Sequence, residues 1–399
     1  MTSKRHSGRR PARWPGCALG LVALAASALP APPAGATPAC RSELVVEGDT
    51  LRPLHHRAAH ISRPTASTIK MLTALVAMDA IAAGELGWDT VYTVSHEAAL
   101  VGGSQVYLEE GETFTLRELM EATLVESAND AAFAVAEAVA GSEPAFLERM
   151  RAKARFLDLE DWEIHSVNGL PSEKGSSWDD RMTAYDLARL GAEVMRHPEL
   201  RAWVATDEST FRDGTFQLFS FNYLLRRYEP AEGIKTGYHR RAKFNLVGAA
   251  RRDDLRLIAV VLGCQRKKQL FDRSEELFER AFDRYRVVPV AGRGQRLPGA
   301  VAVAGGDRKL VPVVAGDEVW VWAHRGRDPE LQVLLRGAGA RAPVALGERV
   351  GELVVRRGGR VVGRAPLLAA AAVQELPWWR RLWTRLVTAV PWGPSRPVA

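Results

Sequence analysis

The apolar positions fall into runs of different period, and these divide the chain. Residues 67–84 form a mostly apolar, Ala/Leu/Met-rich stretch closing on Gly84, which predicts a helix ended by glycine. Leu116 to Val125 and Asp130 to Ala140 read as two further helices with polar residues at their junction. Residues 233–238 look strand-like and lead into two apolar strands, Phe244 to Ala250 and Leu255 to Leu262. Gln269 to Phe282 is helical again. From Val287 onward the pattern changes to short Val-rich runs broken by Gly, Pro and Asp, two of them at 309–314 and 318–322. That change predicts a small antiparallel β domain, and no internal repeat is found.

The two ends differ from the body. Residues 1–36 carry Lys4, Arg5, Arg9, Arg10 and Arg13, then an apolar run from Leu19 to Leu29, then Ala34-Gly35-Ala36. This is the layout of a secretory signal peptide, with an apolar run too short to span a bilayer. Near the other end, Trp378, Trp379, Leu382, Trp383, Leu386, Val387 and Val390 share one helical face, and Arg380, Arg381, Thr384, Arg385 and Thr388 share the opposite one. A helix so divided is shaped to lie on an anionic membrane surface.

Composition modifies this picture in three ways. The formal charge of +7 and pI of about 9.5 suggest an anionic partner, but the five basic residues of the leader account for most of that excess. A mature chain near +2 does not point to nucleic acid. Of three cysteines, Cys17 leaves with the leader; an oxidising compartment permits Cys40 and Cys264 to pair, and two thiols also make ordinary buried residues. No metal signature or cofactor motif is present, and His55, His56 and His239 are expected to be exposed loop residues.

The candidate chemistry rests on three short motifs: Ser67-Thr-Ile-Lys70, Ser127-Ala-Asn129 and Lys235-Thr-Gly237. A serine hydroxyl is a poor nucleophile until a base takes its proton. Ser67 and Lys70, three apart on a helix, share a face. Apolar surroundings, and a second cation such as Lys235, would each lower the Lys70 pKa and let it act as that base. Ser-x-Asn also occurs at Ser166 and Ser220; Ser127 is preferred because a helix junction can aim it into a cleft, whereas Ser166 leads into a turn. The order of the three motifs is that of penicillin-interacting serine hydrolases.

Their flanks, Arg63 to Thr73, Gly102 to Gln105, Glu126 to Ala132 and Gly233 to Tyr238, together with Ala345 to Val355 in the β-rich region, resemble the low-molecular-mass D-alanyl-D-alanine carboxypeptidases of the penicillin-binding protein 5 type. The resemblance implies an α/β penicillin-binding protein or β-lactamase-like transpeptidase fold, with an antiparallel sheet, flanking helices and an all-α part. The expected layout is a signal peptide at 1–36, a catalytic domain at 41–286, a small β-rich domain at 287–366 and an amphipathic membrane-anchoring helix at 376–391. It makes Ser67 the nucleophile, Lys70 its base, and Ser127 and Asn129 the second wall of the cleft. Lys235, Thr236 and Gly237 would hold the substrate, the first two at its terminal carboxylate, and the backbone N–H groups of Ser67 and Tyr238 would form the oxyanion hole. The implied partners are peptidoglycan stem peptides and β-lactams, at the periplasmic or outer face of the cytoplasmic membrane. Endopeptidase action on cross-links and a non-catalytic wall-binding module are the alternatives.

Three features depart from that pattern. Lys243 stands where most relatives have glycine, Phe221 where some have arginine, and the carboxylate-facing arginine expected after the next strand has only Arg266, Lys267 or Lys268 to supply it. A class A β-lactamase would carry a glutamate four residues before a loop asparagine, but Ile164 holds that position before Asn168.

Overall fold

The computed structural model describes residues 39–171, 178–327, 329–337, 339–377 and 379–380. The expected signal peptide lies outside the described residues, as does the expected amphipathic helix apart from 376, 377, 379 and 380. Among the described residues no helix is long and apolar enough to cross a membrane.

A five-stranded antiparallel sheet organises the first part of the fold. Its order is Ala231–His239, Lys243–Arg252, Leu255–Cys264, Ser42–Glu47 and Pro53–Arg57. Successive side chains of a strand point to opposite faces, so an uninterrupted apolar strand needs a cover on each side. In Leu255–Cys264, Ile258, Val260 and Leu262 join the main core, while Leu257, Ala259 and Val261 join a second core on the other face. The main core also takes the helices Lys70–Ala82 and Ala184–Arg196. The second is closed by the helix Lys267–Arg284 through Leu270, Phe271, Leu277 and Phe278.

The Lys70–Ala82 helix is apolar almost all round because it lies inside the main core. The helices Leu116–Leu124, Asn129–Ala140 and Glu143–Phe156 form the all-α part beside it. Their starts follow local chemistry: Thr115 and Glu118 make a reciprocal capping box, and Ser142 caps the last of the three. Downstream, Tyr285–Ala291 pairs with Val319–His324, and a six-stranded sheet encloses a separate core containing Val311, Val313, Leu353, Val355 and Leu367. The expected Val-rich strands are present as Leu310–Ala315 and Val319–His324.

Two links fasten the strand Ser42–Glu47 and the residues just before it. Cys40 and Cys264 are joined as a disulfide, which closes the pairing that the sequence left open. Such a closure of a long loop stabilises by about 2–4 kcal/mol. Glu43, buried in the first strand, accepts hydrogen bonds from Arg57 at 2.6 Å and from Arg273 at 2.8 and 3.0 Å, and His55 lies 3.1 Å away. Two strands and the helix Lys267–Arg284 are thereby held to one carboxylate. His55 and His56 are therefore not loop residues; they lie in the strand Pro53–Arg57, where His55 gains the Glu43 contact. His239 is likewise no exposed loop residue, since it ends a strand with 9% of its surface accessible and accepts the Ala242 N–H.

Burial alone would raise the Glu43 carboxyl, but hydrogen bonds from His55, Arg273 and Arg57 overcome it and hold the group well below its ordinary value of 4.5. A depressed carboxyl contributes stability that is complete above pH 4.5 and is lost as pH falls through the folded-state value. Glu43→Gln should lower unfolding free energy at pH 7 by about 2–3 kcal/mol, below the 3–5 typical of fully buried pairs because the arginines are partly exposed. Urea unfolding at pH 7 and again at pH 3 checks this, with a smaller difference between mutant and wild type expected at the lower pH.

Candidate active site

Ser67 sits in the single turn Ala66–Ile69 that runs directly into the Lys70–Ala82 helix. The Asn245 side chain pins this turn, donating to the carbonyls of Pro64 at 2.8 Å and Thr65 at 3.1 Å while accepting from Gly263 N–H. The strand Ala231–His239 then passes so close that a Cβ on Gly237 would stand 3.0 Å from the Ser67 nitrogen and 2.8 Å from the Thr65 oxygen. Glycine in the third motif is thus a condition of that approach.

Lys70 is fully buried, with its Nζ 3.1 Å from Ser67 Oγ, 2.6 Å from Asn129 Oδ1 and 2.9 Å from the Asn168 carbonyl. The Asn129 amide is oriented by its own NH₂, which donates to Gly102 O at 2.8 Å. Desolvation by burial pulls the Lys70 pKa well below 10.5, the nearby Lys235 charge pulls it further, and Asp130 and Asp180 oppose this. A neutral amine has two N–H donors and one lone pair. Asn129 Oδ1 and the Asn168 carbonyl can only accept, so they take the two N–H groups. The lone pair is left facing the Ser67 hydroxyl, the arrangement a general base requires.

Ser127 stands between the helices Leu116–Leu124 and Asn129–Ala140 in a left-handed backbone conformation, φ 61°, with 4% of its surface accessible. Non-glycine residues held there cost free energy and cluster at functional sites. Ser67, Ser127, Thr236, Gly237 and Tyr238 line one cleft of about 300 Å³. Lys235 is buried in the same strand; desolvation brings its pKa down to about 7, against a raising influence from Glu126. Its nearest hydrogen-bond acceptor is the Thr236 carbonyl at 3.5 Å, too long to satisfy an ammonium. The cleft therefore presents a hydroxyl beside a lysine whose charged form burial disfavours, and a second buried lysine whose complement would be an anionic ligand.

All seven side chains and glycine positions that the motifs singled out converge here, with Tyr238 beside them. Sequence reading missed Asn168, whose dismissed Ser-x-Asn turn supplies the carbonyl under Lys70. A carbonyl acceptor carries no residue-type signature. It also missed Asp180, which holds that turn by accepting from the N–H groups of His165 at 2.6 Å and Ser166 at 3.0 Å. Asn245 was findable, as the one polar residue in the apolar run from Phe244 to Ala250.

Lys243 adopts φ 61°, the left-handed conformation that favours glycine. A non-glycine residue held there carries local strain. Of the three candidate cations after the sheet, Lys267 lines the cleft, Lys268 pairs with Asp272 at 2.6 Å, and Arg266 precedes the helix Lys267–Arg284.

Comparison with known proteins agrees with this geometry. Residues 29–266 match the family model described as D-alanyl-D-alanine carboxypeptidase, and residues 285–375 match that of the penicillin-binding protein 5 C-terminal domain. The D-alanyl-D-alanine carboxypeptidase DacF of Bacillus subtilis is 29% identical over 335 residues, covering 82% of this chain and 84% of that one. Penicillin-binding protein 6B of Escherichia coli is 26% identical and superposes with a TM-score of 0.63 over 83% of this chain and 95% of its own. PBP3 of Streptococcus pneumoniae, at 24% identity, shares the fold with a TM-score of 0.77 over 84% and 99%.

The two lysines should be distinguishable by titration. In protein labelled at lysine Cε, NMR should show one resonance with a midpoint near 7, lost in Lys235→Ala. Glu126→Gln should move that midpoint down, because the Glu126 charge raises it. Lys235→Ala should move the Lys70 midpoint up, because the Lys235 charge lowers it. Normal midpoints for both lysines would contradict the desolvated site.

Proposed function

The chain belongs to the D-alanyl-D-alanine carboxypeptidase family, and on that premise we propose that Ser67 is its nucleophile, Lys70 the general base, and Lys235 with Thr236 the grip on the substrate's terminal carboxylate. The protein is a serine-type D-Ala-D-Ala carboxypeptidase: it removes the terminal D-Ala of peptidoglycan pentapeptide stems and binds β-lactams. The observation that carries the residue assignment is the buried Lys70 amine 3.1 Å from Ser67 Oγ with two acceptors occupying its N–H groups.

In the proposed cycle the Lys70 lone pair takes the Ser67 proton as Oγ bonds to the carbonyl carbon of the penultimate D-Ala. The resulting oxyanion is held by the backbone N–H groups of Ser67 and Tyr238. Lys70 gives the proton taken from Ser67 to Ser127 Oγ as the Ser127 hydroxyl proton moves to the leaving nitrogen; the C–N bond breaks, D-Ala departs, and both Ser127 and Lys70 are back in their starting protonation states. Water then attacks the ester on Ser67 with Lys70 again accepting a proton, the ester C–O bond breaks, and the proton returns to Oγ. Asn129 keeps Lys70 aimed throughout. The domains are assigned as a catalytic unit at 41–286 and a β-rich unit at 287–366.

Export and anchoring belong to the same reading. The leader at 1–36 supports export, and the segment 376–391 supports a peripheral anchor on the outer face of the cytoplasmic membrane, with its arginines toward anionic headgroups.

Ser67→Ala should abolish labelling by a fluorescent penicillin while the thermal unfolding profile is retained; mass spectrometry that located the adduct on another residue would refute the assignment. Lys235→Ala should lower kcat/KM on a diacyl-Lys-D-Ala-D-Ala peptide much more than on an ester lacking the terminal carboxylate, and equal losses would contradict its role.

Truncation before Pro377 should release the enzyme from vesicles containing anionic lipid and leave turnover of the soluble peptide unchanged. Each arginine near the surface contributes about 1 kcal/mol, so binding of the full chain should weaken in high salt. Continued sedimentation of the truncated enzyme with vesicles would refute the anchor.

A further inference from the structure

The five-stranded sheet carries a second concave surface at the end opposite Ser67. The third motif pairs with residues 245–247 of the strand Lys243–Arg252, and Arg251 lies six residues beyond Asn245. At about 3.4 Å per residue, Arg251 stands ~20 Å from Asn245, which lines the Ser67 cleft. There Arg251, Asp254 and Asp49 face the strand Val319–His324, and the two sides flank a groove of about 390 Å³. Small-molecule sites occupy roughly 300–1,000 Å³ and favour the seam between two packed units.

Alternation along Val319–His324 decides what the groove offers. Val319 and Val321 turn into the core of the β-rich part, so Trp320 and Trp322 turn the other way, and both line the groove. The Trp322 ring is already covered: the guanidinium groups of Arg52 and Arg357 lie 4.4 and 4.9 Å from its centroid, and Tyr285 meets it edge-on at 5.3 Å. Trp320 is the open ring, with 40% of its surface accessible. The charges around it balance. Glu47 is occupied by the N–H groups of Asp49 and Thr50 at 3.1 and 2.8 Å. The remaining carboxylates Asp49, Asp254 and Glu318 match the guanidinium groups of Arg251, Arg357 and Arg364 one for one. A polyanion would meet the carboxylates there, and a polycation the arginines, each as like charges brought together. An uncharged ligand with an apolar face for Trp320 and hydroxyl groups for the charged rim meets neither penalty.

Resting on the carboxypeptidase reading, we propose that this groove binds a neutral saccharide unit of the glycan strand that carries the stem peptides, with a pyranose ring packed on Trp320 and its hydroxyl groups toward Glu318, Asp254 and the arginines. A pyranose presents C–H bonds on its face and hydroxyl groups at its edge, the pattern that the groove complements. A five-residue stem reaches at most ~18 Å. The glycan continues beyond the stem, so one strand can occupy groove and cleft together. The groove is too far from Ser67 to touch the reacting atoms. It acts by holding the polymer, which raises the local concentration of stems at the cleft and lowers KM without changing the chemical step.

Two measurements on the full chain test this. Titration calorimetry with the β-1,4-linked tetrasaccharide of N-acetylglucosamine should show binding that Trp320→Ala abolishes and Trp320→Phe retains in part. On uncross-linked glycan strands bearing pentapeptide stems, Trp320→Ala should raise KM by about tenfold at unchanged kcat, the scale on which truncating one interface aromatic acts. Glu318→Ala should raise that KM by about threefold; its side chain is exposed, which keeps the test independent of how well Trp320→Ala folds. Turnover of diacyl-Lys-D-Ala-D-Ala should be the same in these variants as in the wild type. No saccharide binding, binding that survives Trp320→Ala, binding of polyphosphate in place of the saccharide, or a KM on strands that neither variant moves would each overturn the groove and leave the carboxypeptidase reading standing. No release of D-Ala from the small peptide by the wild-type chain would overturn that reading and this proposal with it.

Discussion

Burying the Lys70 amine is the constraint on which the rest of the structure depends. An ammonium with no water around it is costly, so burial pulls the Lys70 pKa well down, and the Lys70 nitrogen donates to Asn129 and Asn168. Each acceptor needs its own support. Asn129 is held by Gly102 and Ser104 through side chain and main chain, and the Asn168 turn is held by Asp180. The helix Lys70–Ala82, the loop at 102–105, the helix junction at Ser127 and the turn at 166–169 are thus tied to one nitrogen.

The sheet supplies the rigidity that this arrangement needs. Covered on both faces, it cannot shift one strand without disturbing two cores. Asn245 is the point where the sheet and the turn Ala66–Ile69 are joined, its three hydrogen bonds reaching Pro64, Thr65 and Gly263. The disulfide at Cys264 and the ion cluster at Glu43 hold the adjoining strands from the other side. Sites built on such elements keep their geometry better than sites built on loops alone.

The departures from the family pattern have different physical weights. Lys243 accepts a conformation meant for glycine at a hairpin, where the consequence is local strain. Phe221 changes what a ligand meets. It lines the cleft with an aromatic ring, and Lys267 reaches the same cleft from another element, 5.9 Å from that ring.

The sequence by itself determined which groups are candidates for the chemistry and most of the elements around them. Ser67 and Lys70 are three apart on one helix start, the two apolar strands announce the sheet, and the third motif lies on a strand, because these are local periodicities and local chemistry. Only the tertiary structure decided that Asn168, Asp180 and Asn245 complete the site, that Cys40 and Cys264 pair, and that His55, His56 and His239 leave the loops expected for them. The reason is range. A carbonyl brought under an amine from 98 residues away, or a thiol meeting another 224 residues on, leaves no trace in the spacing of neighbours, since the contact exists only after the chain has closed over a common core.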